Sequence, residues 1–262
     1  MESQDRRRFL QVLGAGAVGV LVDGPAAALP SKALPAADGA VAELRANLLS
    51  QRDRIRSLRL RFTAELRGAT ETVKKNSWLI AGDSLFLYSA GRHRLEHYRA
   101  GFDVIEISNG GLYRQAFVEA GGKSRVLYTG PLTANRRPAA TLERFLPVLR
   151  NVPAYDLGVD LVDGERVQVV GQGDVRYFVA ARRPAVIRVD IFSTATALRE
   201  RIRFSDFEST TAGVDFPTRL TSSRFGATDK VVKEVDLAVS ELEINPALED
   251  SLFAIEGGTR HG

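Results

Sequence analysis

The strongest constraint on the fold is an apolar pattern with a period of two. Leu58, Leu60 and Phe62 alternate with polar side chains, and the alternation continues through Ala64 and Leu66. Because successive side chains of a strand point to opposite faces of a sheet, this spacing predicts a long strand with one buried face. Similar segments recur between turn signals along most of the chain. The predicted strands lie near 57–67, 72–80, 84–89, 94–99, 104–108, 112–118, 125–128, 155–162, 166–171, 175–180, 187–192, 199–207, 218–225 and 231–242.

Two segments have helical spacing instead. A stripe that includes Val41, Leu44 and Leu48 predicts an amphipathic helix over about 39–57. Residues 139–150 also carry large apolar side chains at helical spacing, and Pro147 must kink or end that second helix because proline has no N–H to donate.

These patterns together predict a mainly β (α+β) fold. Meandering strands of one-sided polarity favour an antiparallel sheet curled into a barrel or half-barrel. Together with the resemblance given below, this pattern leads us to expect an antiparallel, unclosed half-barrel of about ten to twelve strands. The N-terminal helix and the mid-chain helical lid would cover its open side. Composition shows no break after residue 38, so we expect one domain over 39–256 and a disordered tail at 257–262.

The N-terminus has the parts of an export signal. Three arginines at 6–8 precede a mildly apolar segment at 12–22, and small alanines follow at 26–28. This order predicts a signal peptide over 1–28, a flexible leader over 29–38 and a soluble periplasmic protein after cleavage. The arginines followed by Phe9 and Leu10 resemble a twin-arginine signal. A short buried helix and an uncleaved anchor remain as alternatives.

Composition excludes several classes of function. The chain has no cysteine, which excludes disulfides, thiolate metal sites and cysteine nucleophiles. No run of about 18 apolar residues occurs, so a polytopic membrane protein is excluded. The net charge is +4, and it is spread along the chain, so it does not indicate a nucleic-acid partner.

One motif has the residues of a metal site. His93, Glu96 and His97 spell H-x-x-E-H, which in zinc proteases lies on a helix. Glycines at 91 and 101 bound this segment and predict a strand, on which the two histidines share a face and Glu96 points away. A hydrolase that uses this motif, or a metal shared by the two histidines, remains an alternative to a plain strand.

Several local motifs resemble those of the LolA-like family of periplasmic lipoprotein carriers. The similarity lies at 91–96, 108–113, 203–207, 213–220 and 239–253, in the family's order, and it extends over roughly the whole mature length. The resemblance implies an unclosed barrel with a helical lid over a cavity for acyl chains. Family members carry an Arg-Pro pair whose arginine holds the lid shut, but Ala90 and Gly91 occupy that position here. We therefore expect a divergent member.

The resemblance and the alternation together give candidate binding residues. The residues predicted to line the cavity are Leu60, Phe62, Ala64, Trp78, Ile80, Phe86, Tyr88, Leu95 and Ile105. The residues predicted to form the lid are Leu142, Phe145, Leu146 and Leu149. Alternation alone cannot distinguish a hollow barrel from a filled one, so a closed core is the competing interpretation.

The predicted function is that of a non-enzymatic, monomeric carrier in lipoprotein or lipid trafficking and outer-membrane biogenesis. Its partners would be acyl chains and an envelope protein that donates or accepts them, with no cofactor, no metal and no nucleic acid. An envelope sensor of the same fold is the alternative of a different class, and the metal-dependent hydrolase is a third.

Overall fold

Thirteen antiparallel strands form one sheet in the computed structural model, which describes residues 38–67, 81–133, 140–150, 152–194, 196–226 and 230–255. The strands lie in the order β6-β5-β4-β3-β2-β1-β13-β12-β11-β10-β9-β8-β7, so β6 and β7 are the two edges. Their bounds are β1 Ser57–Arg67, β2 Gly82–Ser89, β3 Arg92–Arg99, β4 Phe102–Asn109, β5 Leu112–Glu119, β6 Ser124–Pro131, β7 Tyr155–Val162, β8 Glu165–Gln172, β9 Val175–Ala180, β10 Val186–Phe192, β11 Leu198–Ser209, β12 Asp215–Phe225 and β13 Val231–Ile244.

The predicted fold class is confirmed, and the sheet has thirteen strands where about ten to twelve were expected. Each described strand coincides with a predicted segment, and the bounds differ by at most three residues at either end. The segment predicted as a strand at 72–80 lies outside the described residues, as do the predicted signal and tail. The turns follow their sequence signals: Gly110 and Gly111 both adopt positive φ between β4 and β5, a conformation that glycine adopts without steric cost.

The sheet curls around one apolar cluster. Phe86 on β2 and Leu95 on β3 belong to the same buried cluster as Val170 on β8 and Tyr177 on β9, although several strands separate them in the sheet. Side chains from distant strands meet only where the sheet is concave, and we call this side the concave face. The structure is thus an unclosed half-barrel.

Two helical segments pack on the concave face. Helix α1, Asp38–Asp53, contributes Val41 and Leu48, as its apolar stripe predicts. Helix α2 is only Leu142–Phe145, a single turn. The longer helix predicted over 139–150 is therefore wrong, since the chain leaves helical geometry at Leu146, directly before Pro147.

The C-terminal segment covers the opposite, convex face of β2–β5. A short 3₁₀ helix, Asp250–Phe253, places the buried Phe253 against Leu85 and Leu87. Arg94, Asn109 and Arg114 donate side-chain hydrogen bonds to the carbonyls of three of the residues in this segment, at 252, 253 and 255. These contacts hold the segment on the sheet and bury a second, smaller apolar layer.

Helices in the described part of the chain are all too short or too polar to cross a membrane.

Candidate functional site

Phe145 fills the centre of the concave face. Its ring lies 5.8 Å from that of Phe62, 5.4 Å from that of Phe86 and 6.3 Å from that of Phe216, measured between centroids. These rings come from β1, β2 and β12, so one side chain of α2 joins both halves of the sheet. The contacts have the spacing of favourable aromatic pairs.

The structure brings most of the predicted cavity and lid residues together. Leu60, Phe62, Phe86, Leu95, Leu142, Phe145 and Leu149 are all buried in the concave cluster, and Tyr88 and Leu146 pack against it while partly exposed. Ala64 is buried on the same face of β1. Whether these residues bind a ligand stays a prediction.

Of the three remaining predicted cavity residues, the structure describes only Ile105, which is not part of this cluster. Ile105 lies on the convex face, where it packs with Ile107 and Val118. The register explains this position, because Ile105 is opposite Glu96 on β3, and Leu95 is opposite Glu106. The other two, Trp78 and Ile80, lie outside the described residues.

Many buried residues of the concave face lie on strands for which the sequence analysis did not predict which side chains point inward. Alternation identified these strands, but a two-residue period does not tell which face will turn inward. The additional buried residues of this face include Val170, Val175, Tyr177, Val179, Val189, Ile191, Phe204, Phe216, Leu220 and Leu237.

Among the described residues, one small cavity lies between the helical segments and the sheet. Leu48 of α1, Phe145 and Val186 of β10 are among the residues that bound a cavity of about 20 Å³. That volume holds about one water molecule, whereas pockets for small ligands measure about 300–1,000 Å³. This cavity is therefore too small for an acyl chain while Phe145 keeps its present position.

The H-x-x-E-H motif lies on β3 and does not form the helical zinc site. Its two histidines face the concave side about 13 Å apart along the strand, with the buried Leu95 between them. Glu96 points to the convex side, where its Oε1 accepts a hydrogen bond of 2.6 Å from Arg94. No group of three His, Asp or Glu side chains that could hold a metal ion occurs among the described residues.

Burial disfavours the charged form of both histidines. His97 Nδ1 lies 2.9 Å from the Ser84 hydroxyl, and burial lowers its pKa to about 3, with smaller contributions from the charges of Arg99 and Arg144. Burial also lowers the pKa of His93, and the nearby Glu143 opposes that shift. The ring of His93 stacks on Phe86, so this histidine is part of the aromatic wall.

Comparison with known proteins identifies the fold. No protein-family model matches the chain, and no curated protein sequence matches it. A DUF1329 family protein from Desulfovibrio piger has a similar structure with a TM-score of 0.52, at 14% identity over 82% of this chain and 96% of that one. A putative outer membrane lipoprotein-sorting protein domain from Vibrio parahaemolyticus gives a TM-score of 0.51, at 12% identity over 81% and 97%.

A LolA superfamily protein from Nitrosomonas europaea is also similar, with a TM-score of 0.42 at 14% identity over 80% of this chain and 97% of that one. At these identities the two likenesses above 0.5 establish the fold alone. The half-barrel predicted from the sequence is therefore shared with solved structures that include a lipoprotein-sorting domain.

Proposed function

We propose that the protein binds acyl chains on its concave face and carries them between sites in the bacterial envelope. The observation that carries this proposal is that one aromatic side chain, on a single helical turn, occupies the apolar centre of a curved sheet. On this proposal a bound alkyl chain takes the position of the Phe145 ring, and binding displaces that ring from the apolar floor. Such a carrier needs no catalytic residue.

Helix α2 is weakly held by its own backbone. It has four residues, its N-cap Thr141 makes no side-chain hydrogen bond to the helix, and Pro147 follows two residues after it ends. An isolated turn of this length is unstable, since helix nucleation is costly and few hydrogen bonds offset it. Its position depends mainly on the burial of Leu142 and Phe145, and a competing apolar ligand can replace that burial.

The energetics favour such an exchange. Burial of a phenylalanine side chain contributes about 1.5–3 kcal/mol, whereas each buried methylene contributes about 0.8 kcal/mol. A chain of 16 carbons therefore offers roughly 12 kcal/mol before the costs of ordering and association. That amount exceeds what the protein loses when Phe145 leaves the apolar face.

The sequence supports an envelope location for this carrier. We propose that residues 1–28 are an export signal of the twin-arginine type, and that one half-barrel domain over 39–256 acts in lipoprotein or lipid trafficking. The resemblance of the 91–96 and 239–253 motifs to the lipoprotein carriers points in the same direction.

The test compares two phenylalanines that lie on opposite faces. Phe145 and Phe253 are both almost fully buried, and each lies on a short helical segment against the sheet. We expect Phe145→Ala and Phe253→Ala each to lower the free energy of unfolding by about 3–5 kcal/mol. Only Phe145→Ala should tighten binding of a fluorescent C16 fatty acid, by about tenfold to a hundredfold, because the ligand no longer has to displace the ring.

The measurement is a fluorescence titration of the full chain, purified without detergent, with urea unfolding of the same samples. Phe145→Leu, which costs less stability, provides a second variant should the alanine variant not fold. Equal gains in the two alanine variants would mean that general loosening admits the probe. No uptake by the wild type or by either Phe145 variant would show that the concave face is only a core.

A further inference from the structure

On three neighbouring strands, the side chains that face the concave side change from apolar to charged toward the same end of the sheet. On β11 the inward residues run from Phe204 through Ile202 to Glu200. On β12 they run from Leu220 through Ser222 to Arg224. On β13 they run from Leu237 through Val235 to Lys233. The apolar floor thus ends in a row of charged side chains.

The register aligns this row across the strands. Glu200 is opposite Arg224, and Arg224 is opposite Lys233, so the three side chains are neighbours on one face. Helix α2 adds a further cation, because Arg144 lies close enough to Glu200 and Lys233 for its charge to act on both groups. We call Arg144, Glu200, Arg224 and Lys233 the charged row.

The charged row has an excess of positive charge. Glu200 is 5% exposed and accepts a hydrogen bond of 2.8 Å from the Ser222 hydroxyl. No carboxylate of the described residues lies within 4.0 Å of the cationic nitrogens of Arg224 or Lys233. The nearby acids Glu234 and Asp236 point to the convex face, where they accept hydrogen bonds from Ser223 and Thr221.

The cations of the row are also partly removed from water. Burial lowers the pKa of Lys233, and the charges of Arg224 and Arg144 lower it further, while Glu200 opposes them. Burial likewise lowers the pKa of Arg144, again against the effect of Glu200. An anion placed here would relieve this repulsion, and a charge-assisted bond to a half-buried cation is stronger than one at the exposed surface.

We propose that Lys233 and Arg224 bind the carboxylate or phosphate head of the ligand whose alkyl chain occupies the concave face. This inference rests on the proposed function and names its substrate class, an anionic amphiphile. Phe204 and Glu200 are about 13 Å apart along β11, so the apolar floor and the cations form one continuous site. The adjacent Arg144 and Phe145 then couple the two parts, since the charge of Arg144 acts on Glu200 and Lys233 while Phe145 packs on the apolar floor.

The proposal predicts that the protein binds an amphiphile with a charged head group more tightly than an uncharged one of the same alkyl length. Dodecanoate, dodecyl phosphate and dodecanol share the same alkyl length and differ in the head group. Calorimetric or displacement titrations of the full chain should give about tenfold tighter binding of either anion than of the alcohol. Lys233→Met and Arg224→Met should each reduce that preference to about twofold or less and leave the affinity for dodecanol unchanged.

Arg203→Met is the matched control, because Arg203 is an exposed arginine on the convex side of β11, three residues from Glu200. This variant should retain the full preference for anions. The thermal unfolding midpoint of each variant, measured in parallel, separates a lost contact from a lost fold.

The outcomes separate this inference from the proposed function. If none of the three amphiphiles binds, the carrier function itself is overturned. If dodecanol binds as tightly as the anions, or if Lys233→Met and Arg203→Met behave alike, only the anionic subsite is overturned. Binding of inorganic phosphate alone as tightly as dodecyl phosphate would also contradict it, because the row would then recognise a free anion.

Discussion

At the scale of single residues, the fully buried charges of Arg94 and Glu96 are stabilised by an ion pair and hydrogen bonds. Arg94 and Glu96 are 1% and 0% exposed, and they form an ion pair of 2.6 Å on the convex face. The Tyr98 hydroxyl donates to the other carboxylate oxygen of Glu96, and Arg94 also donates to the Leu252 carbonyl. A buried carboxylate so bonded cannot act as a general base for the concave histidines. Its role in the motif is structural.

His97 gives a prediction for the pH dependence of stability. Its pKa is about 3 in the folded protein, below its ordinary value of 6.5, so between these values the unfolded chain binds a proton that the folded chain does not. Stability from this residue is therefore complete above pH 6.5 and is lost as the pH falls toward 3. We expect a loss of about 1.4 kcal/mol per pH unit across this window.

The measurement is urea unfolding of wild type and His97→Asn at pH 7, 6, 5 and 4.5. The slope attributable to His97 should disappear in the variant, which can keep a polar contact to Ser84. Parallel slopes for the two proteins would contradict the assignment, and carboxylates would then account for acid unfolding.

At the scale of elements, one asparagine joins the helix to both central strands. Asn245 follows β13, and its Oδ1 accepts hydrogen bonds from the backbone N–H groups of Arg56 and Ser57 at 2.7 and 3.2 Å. Its Nδ2 donates to the Arg54 carbonyl at 2.9 Å. Its φ of 60° lies in the left-handed region, which asparagine tolerates better than most residues. The end of α1 is thereby fixed beside β1 and β13.

The backbone conformation of Asn245 predicts that replacement by glycine destabilises the protein less than replacement by alanine. Asn245→Ala removes three hydrogen bonds and places a β-carbon in left-handed backbone, at a total cost of about 3–4 kcal/mol. Asn245→Gly removes the same bonds but keeps the backbone unstrained, so it should be more stable than the alanine variant by about 1 kcal/mol. Urea unfolding measures both variants. An alanine variant as stable as the glycine variant would show that the backbone strain is negligible.

At the scale of the whole molecule, the sheet formed by the described residues does not close, and β6 and β7 are its edge strands. Edge strand β7 has three exposed apolar side chains: Leu157, Val159 and Leu161 are 45%, 53% and 68% exposed. An edge strand that presents apolar side chains and unpaired backbone groups favours association between copies of a chain. The unclosed architecture that permits a concave face therefore also creates a surface prone to self-association.

We expect Val159→Lys with Leu161→Lys to reduce self-association at high protein concentration and to change the unfolding free energy by less than about 0.5 kcal/mol. Val231→Lys is the control, since Val231 is 42% exposed but lies on β13, which is paired on both sides. Sedimentation velocity over a range of concentrations measures the effect. An equal reduction in the control variant would indicate net charge as the cause and exclude the edge.

Local patterns in the amino-acid sequence are sufficient to predict the described strands, the N-terminal helix and the mainly β character of the fold. Alternation at Leu58, Leu60 and Phe62 specifies a strand wherever it falls, because the two-residue period is a local property of the backbone. Turn glycines and the apolar stripe of α1 are local signals of the same kind. The strands and their antiparallel arrangement therefore follow from local pattern, whereas the unclosed form of the barrel was expected from the family resemblance.

Contacts between distant segments, by contrast, select the faces and residues that form the site. Ile105 and Leu95 have equally good apolar patterns, but the register places them on opposite faces of the sheet. The charged row combines strands that are adjacent in space with Arg144 from a distant segment, and no spacing in the sequence joins them. The position of α2 on the concave face depends on the packing of Phe145 against three strands, which the helical spacing of 139–150 does not specify. These properties arise from contacts between residues far apart in the chain, and period and propensity carry no information about such contacts.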